Sequence, residues 1–455
     1  MNQRTQKQIT VLGVGVMVLL MLFIYGNMDH QTVTDERQTE TKENPKQIPE
    51  QVPEQVPKPK ATGASLRLAK PGGNPEIRVL ICADNYESKY HQEITLECTT
   101  DYTVQYGDVT EEHTAKEKVW LTPEDPWLTQ GSVTLTPKTA AGKFSIPGLQ
   151  RSQKNPSYPG IFRIEKKAEG LQVINQLPLE TYLGFVVPSE MPAAYPLEAL
   201  KAQAVCARTY ALKHILAGRK KKAAMDVDDS VSYQVYNNIG SSKRTRKAVK
   251  ETAGVVLMKG EELVETLYYS TSCGIDLSGD FSEEAVFASF IMGSSDKAYE
   301  KEEPWYRWST YYSLAELTHL AQTGGQEQLG TVKEMTIAKR EASGVIGELE
   351  IVGAGGRAVI EGEYAVRMFL QTNNAPVTLQ NGSEAPNLRM LPSAFFYLIP
   401  DYDGEVLKGY EVIGGGYGHG KGMSQNGARH MADAGKTCEE ILNYYYGMAK
   451  AGENE

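Results

Sequence analysis

Cysteine is scarce in this chain of 455 residues: five, an odd number, at Cys82, Cys98, Cys206, Cys273 and Cys438. So sparse a set argues against a disulfide framework, although Cys82 and Cys98 leave open either a pair or two buried thiols. There is no C-x-x-C, no H-E-x-x-H and no His/Cys cluster at metal-ligand spacing, so neither a metal nor another cofactor is expected. Positive charge is in deficit too. Lys and Arg number 47 against 57 Asp and Glu, and residues 1–60 hold seven of each sign, so the whole net charge of −10 lies on residues 61–455. A globular part that acidic suits polyanions poorly, and nucleic acid is excluded as a partner. The length exceeds one ordinary core and predicts two or three domains, while 41% hydrophobic and 23% charged residues exclude a wholly disordered or collagen-like chain.

One long apolar run is present. Ile9–Gly26 is 18 residues without a charge, about 27 Å as a helix and sufficient for a tilted span. Arg4 and Lys7 precede it, which predicts a cytoplasmic tail (1–8), a single-pass signal anchor (9–26) and a globular part on the outer side of the cytoplasmic membrane. The competing reading, a cleaved signal peptide, lacks a small-x-small site: Phe23, Ile24 and Tyr25 stand where one belongs. Residues 27–75 have no aromatic side chain and contain Pro-Glu-Gln-Val twice in succession; they read as a disordered linker giving reach.

From residue 76 the pattern is that of an α+β protein: a mixed core (76–283 and 401–450) with a smaller α+β flanking lobe (284–400). Strands are expected at Glu76–Cys82, Glu93–Leu96 and Val133–Thr136, and a hairpin joins Phe162–Glu165 to Leu171–Ile174. A short helix from Glu180 is expected to end at Val187 against Pro188, and a long one runs from Pro196 to about Leu216. Its stripe of Leu197, Leu200, Ala204, Ala207 and Ala211 predicts close approach of another backbone. Between them Pro188 and Pro192 bracket Glu190 in a loop, an arrangement that fixes one carboxylate, although a glutamate before a helix is often only a dipole partner. Arg208 and Tyr210 read as structural. Cys273 has no histidine within thirty residues and makes a poor nucleophile candidate. In the flanking lobe Ser313 and Glu316 form a capping box, and the aromatic run 304–309 reads as packing.

The last segment, Gly414-Gly415-Gly416-Tyr417-Gly418-His419-Gly420-Lys421-Gly422-Met423-Ser424-Gln425, has six glycines in nine residues. It matches neither a phosphate loop, because Gly422 follows Lys421, nor a dinucleotide loop, because no βαβ unit follows. Close backbone approach to a ligand is expected here. The substrate-binding candidates are Tyr417, His419, Lys421, Ser424 and Gln425, with Tyr233 and Ser272 from the middle region.

The blocks 177–212 (LPLETYLGFVVPSEMPAAYPLEALKAQAVCARTYAL) and 414–447 (GGGYGHGKGMSQNGARHMADAGKTCEEILNYYYG) resemble the two signature blocks of the SpoIID/LytB family. The resemblance implies a bacterial, membrane-anchored protein facing peptidoglycan. Its sporulation members are lytic transglycosylases acting on glycan strands freed of peptide during engulfment; LytB-type members are described as enhancers of a cell-wall amidase. The glutamate of the family's S-E-M-P motif corresponds to Glu190, which is thereby implied as the catalytic acid. Implied partners are glycan strands, a cell-wall amidase and other sporulation membrane proteins. The alternatives are a non-catalytic enhancer that binds the same strands and a purely structural component of a membrane complex. Some members hold zinc through His and Cys near an S-x-x-G-G loop, here Ser270-Thr271-Ser272-Cys273-Gly274, but Tyr269 stands where a histidine often does and Ile275 and Asp280 supply no thiol or imidazole, so zinc is not expected.

Overall fold

The computed structural model describes residues 66–70, 73–151, 155–236, 240, 242–274, 286, 299–341, 343–372, 376–385 and 388–447. The predicted anchor (9–26) and the linker up to residue 65 lie outside them. Among the described residues no helix is long and apolar enough to cross a membrane. They form a mixed α+β structure with two hydrophobic cores.

The first core rests on a seven-stranded sheet in the order Val227–Asp228, Glu76–Leu80, Gly170–Pro178, Ile161–Lys167, Ser132–Pro137, Tyr102–Tyr106, Val109–His113. Its centre is the predicted hairpin, with Phe162 opposite Asn175 and Ile164 opposite Val173. Alternation sets its faces: Phe162 and Ile164 are fully buried, while Arg163 points to solvent. A four-stranded sheet (Lys118–Leu121, Ile94–Cys98, Lys143–Ser145, Ser157–Pro159) contributes to the same core. Cys98 lies in that core and Cys82 packs with Leu80 and Ile174 in a separate cluster; none of the five cysteines is in a disulfide. Residues 66–69, expected within the linker, instead form the strand Leu66–Ala69, which pairs with Val256–Lys259.

Helix α1 (Leu179–Glu190) buries Leu179, Tyr182, Leu183, Val186 and Val187, the spacing of one helical face. It continues through Pro188 instead of stopping before it. Pro188 lacks an N–H and sits in the last turn, where the Met191 N–H still reaches the Val187 carbonyl at 3.0 Å and the Ser189 hydroxyl donates to the Phe185 carbonyl at 2.7 Å. Glu190 is therefore the final residue of a helix rather than a loop residue. Helix α2 (Leu197–Lys221) outruns its expected end by five residues: Arg219, Lys220 and Lys221 complement the helix dipole, and Lys222 caps it in the left-handed conformation. Leu200, Ala204, Ala207 and Ala211 are fully buried, and α1 and helix α3 (Lys243–Glu251) pack on α2.

The second lobe has a four-stranded sheet (Thr378–Leu379, Trp308–Ser313, Val406–Gly414, Phe396–Asp403), a three-stranded sheet (Val332–Arg340, Ile346–Gly353, Gly356–Glu361) and helices α4 (Leu314–Thr323) and α5 (Glu363–Phe369). The Ser313–Glu316 capping box is formed, and Trp308 and Tyr312 are buried in this lobe's core. Val406–Gly414 lies beyond residue 400, the expected end of the flanking lobe, yet is hydrogen-bonded into its sheet. The chain then returns to the first core through helices α6 (Gln425–Asp433) and α7 (Cys438–Leu442), which pack on α2.

Candidate functional site

Glu190 ends α1 beside Met191, which is anchored in the first core. The Glu190 side chain stays partly exposed although protein surrounds most of it. Its Oε1 accepts the Val235 backbone N–H at 2.6 Å, and the phenol of Tyr268 stands beside the carboxyl. Burial pushes this carboxyl up from 4.5 to about 7, against the opposing pull of the Val235 N–H and the Tyr268 phenol. The direction of that shift favours the protonated state that a general acid requires.

A buried amide fixes the phenol. Gln234 accepts from the Tyr182 hydroxyl at 3.3 Å and donates to the Ala207 carbonyl and to Tyr268 Oη, both at 3.2 Å. The glycine-rich segment supplies the other brace: Gln425 Nε2 donates to the Glu190 carbonyl at 2.9 Å, one of the acceptors that a helix end leaves unpaired. The same amide nitrogen lies 3.4 Å from Gln203 Oε1 on α2. Two segments more than two hundred residues apart in sequence thus meet at Glu190.

The other candidates have different roles. His419 is engaged on both nitrogens: the Lys421 N–H donates to Nδ1 at 3.1 Å, so Nε2 carries the proton and donates to the Tyr268 carbonyl at 3.0 Å. Burial lowers its basicity, and this neutral imidazole braces Tyr268. Ser424, expected to bind substrate, is fully buried and caps α6, accepting from Gly427 and Ser272 N–H groups at 3.0 and 3.2 Å. That placement removes it from the reach of a ligand. Ser272 turns inward as well, its hydroxyl accepting the Gly274 N–H at 2.9 Å. Lys421 pairs with Glu341 at 2.9 Å across to the second lobe. Tyr417 packs on Trp305 with ring centroids 4.7 Å apart, and Tyr233 meets His214 edge-on. The network therefore gathers Glu190 and Gln425 directly and His419 through Tyr268, and leaves the side chains of Tyr233, Ser272 and Lys421 outside it.

The glycines serve the protein itself. A Cβ on Gly414 would lie 2.1 Å from the Trp308 ring, and one on Gly422, at φ +80°, would lie 1.9 Å from the Leu267 carbonyl oxygen. A cavity of about 130 Å³ lies along the segment, lined by Tyr269, Ser272, Cys273, Val345, Phe395 and Gly418 among others. Tyr269 puts a phenol where an imidazole ligand would be needed, and among the described residues no three His, Cys, Asp or Glu side chains converge. The described residues of this loop do not fit a zinc ion.

Tyr268, Gln234 and the Val235 N–H were not singled out in the sequence, which drew attention to their neighbour Tyr233. A signal was available for one brace: Gln203 is a polar residue inside the alanine stripe of α2 and is fully buried.

A family model described as stage II sporulation protein matches residues 167–258, and a domain of unknown function (DUF8618) matches residues 265–422. The chain is 30% identical over 336 residues to stage II sporulation protein D of Bacillus subtilis (strain 168), covering 70% of this chain and 85% of that protein. It is 28% identical over 292 residues to stage II sporulation protein D of Bacillus amyloliquefaciens, covering 60% and 74%. It is 29% identical over 290 residues to the amidase enhancer of Bacillus subtilis (strain 168), covering 57% of this chain and 39% of that protein. The chain belongs to the SpoIID/LytB family.

Proposed function

We propose that this protein is a lytic transglycosylase of peptidoglycan, held at the cytoplasmic membrane by residues 9–26 and acting on the cell-wall side during sporulation, on strands from which an amidase has removed the peptides. One arrangement supports the reading: the Glu190 carboxyl is held by the Val235 N–H at 2.6 Å beside the Tyr268 phenol, where burial pushes it up to about 7. The similarity to proteins named for sporulation and for amidase enhancement supports the wall as the place of action.

The reaction needs one carboxyl group. Protonated Glu190 gives its proton to the bridging O4 as the bond from muramyl C1 to that oxygen breaks. The 6-hydroxyl of the same muramyl sugar then bonds to C1, and its proton returns to Glu190, leaving a 1,6-anhydro end with no water consumed. A hydrolysing glycosidase commonly needs a second carboxylate. Burial alone accounts for the rise in Glu190, with no charged neighbour among the described residues contributing to it.

Mass spectrometry of glycan strands digested by the full chain tests this, with amidase-treated and untreated peptidoglycan in parallel and Glu190→Gln as control. New 1,6-anhydro ends from the native protein and none from the variant are expected. Ordinary reducing ends would mean hydrolysis. Binding without cleavage, together with stimulation of an amidase, would replace the proposal by the enhancer role.

A further inference from the structure

We propose that the basic face of α3 recognises the lactyl carboxylates that glycan strands expose once their peptides are gone, an inference resting on the glycan-strand reading above. Helix α3 carries Lys243, Arg244, Arg246, Lys247 and Lys250, all exposed, while Thr245, Ala248 and Val249 face the core. Lys243, Lys247 and Lys250 recur at helical spacing and share one side. On a protein of net charge −10 this is a local concentration of positive charge, as is the run Arg219–Lys222 at the end of α2.

Its place in the fold ties it to the site. Helix α3 packs on α1, which ends in Glu190, and on α2, which follows it. The Arg244 guanidinium donates to the carbonyls of Ala194 and Tyr195 at 2.8 and 3.1 Å. Ala194 is four residues from Glu190, at most about 14 Å of chain. Lys243, Arg244 and Lys247 together with Pro196 and Leu197 line an open hollow of about 440 Å³. Glu251 lies 2.8 Å from Lys201 and 3.6 Å from Lys247, and Lys243 has no carboxylate partner among the described residues.

The substrate chemistry supplies the complement. A stem peptide is joined to the muramyl sugar through an amide at the lactyl carbonyl, which is neutral. Removing the peptide leaves a carboxylate on every muramyl residue, so the stripped strand is a regularly spaced polyanion. The net negative charge of the protein repels such a strand, and a basic hollow on the helix that packs against α1 offsets that repulsion.

The test is fluorescence anisotropy of end-labelled, amidase-treated strands with the full chain, next to the same strands with their carboxylates converted to methylamides. The variant is Lys243→Gln with Lys247→Gln; Arg244, which braces the loop, is left intact. The native protein is expected to bind carboxylate strands about fivefold more tightly than methylamide strands, the scale of two exposed charge pairs, and to lose the preference at high salt. The double variant is expected to bind both alike and to keep its melting temperature. Glu190→Gln is expected to retain the preference. Equal binding of both strands by the native protein would overturn the inference while leaving 1,6-anhydro formation, and so the enzymatic reading, standing. A preference without cleavage would sustain the surface and fail the enzyme. Tighter binding to a poly(glycerol phosphate) of matched length than to the carboxylate strand would overturn the assignment in favour of a phosphate polymer.

Discussion

The Tyr268 phenol stands beside Glu190 with its oxygen accepting from Gln234 Nε2 at 3.2 Å, which leaves its one proton available to the carboxyl. Gln234 is in turn held by Tyr182 and Ala207, and the Tyr268 carbonyl by His419. The orientation of the carboxyl is thus inherited from a buried chain of amide, phenol and imidazole. Burial lifts the carboxyl, and the phenol moderates that lift.

Tyr268→Phe removes the moderation. The carboxyl then ionises at higher pH, and the alkaline limb of the pH–rate profile for strand cleavage is expected to move upward. Loss of orientation is expected to lower the rate at the optimum by about tenfold or more. An unmoved limb would show that the phenol does not bond the carboxyl during turnover.

The same burial has a cost in stability whose sign is fixed. Glu190 ionises near 7 in the folded protein against an ordinary 4.5. Below the ordinary value both states are protonated and there is no penalty. As pH rises between the two values the unfolded chain ionises first, so stability falls; above the folded value the deficit is constant, up to about 3 kcal/mol. Glu190→Gln, close in shape to the protonated acid, is expected to match the native protein in urea unfolding at about pH 4 and to exceed it by up to that amount at about pH 8. A variant equally stable at both would mean that the carboxyl is not raised.

The sequence made periodic elements legible and left convergences hidden. The hairpin, the alanine stripe of α2 and the capping box at Ser313 follow from spacing and local hydrogen bonding alone. The end of α1 was misplaced because Pro188 disfavours a helix locally, whereas burial of the proline and the Ser189 side-chain bond carry it through one more turn. Glu190 stood out through its bracketing prolines and the S-E-M-P resemblance. Tyr268 and Gln234 did not, because their function comes from meeting Glu190 in space. The glycine run suggested a ligand cradle, and at Gly414 and Gly422 it proved to make room for Trp308 and Leu267.

Gly414→Ala tests that last point. Its Cβ would meet the Trp308 ring at 2.1 Å, and the indole is pinned by its bond from Nε1 to the Gly416 carbonyl at 3.0 Å. Overpacking of this kind is expected to cost about 1–3 kcal/mol in urea unfolding. Combining it with Trp308→Phe, which trims the ring that the new methyl meets, is expected to recover part of the loss relative to the sum of the single variants. Strict additivity would place the strain elsewhere.

Arg208 offers a test of what holds the scaffold under the site. Its guanidinium is almost wholly buried on α2 and forms a two-pronged pair with Glu180 in the first turn of α1, at 2.7 and 2.8 Å, while its remaining N–H groups reach carbonyls of Ala204, Val249 and Val255. The pair therefore ties the start of the helix that ends in Glu190 to its neighbour and to the turn before Val256–Lys259. Arg208→Met keeps the stem's packing but leaves Glu180 without its cation and several carbonyls without donors, and is expected to cost about 3 kcal/mol or more. Arg208→Lys keeps the charge and loses the fork, so it should fall between the two. If the interaction were only electrostatic, the lysine variant would restore full stability. Urea unfolding at neutral pH separates these cases, because α1 cannot keep Glu190 under Tyr268 once its first turn is released.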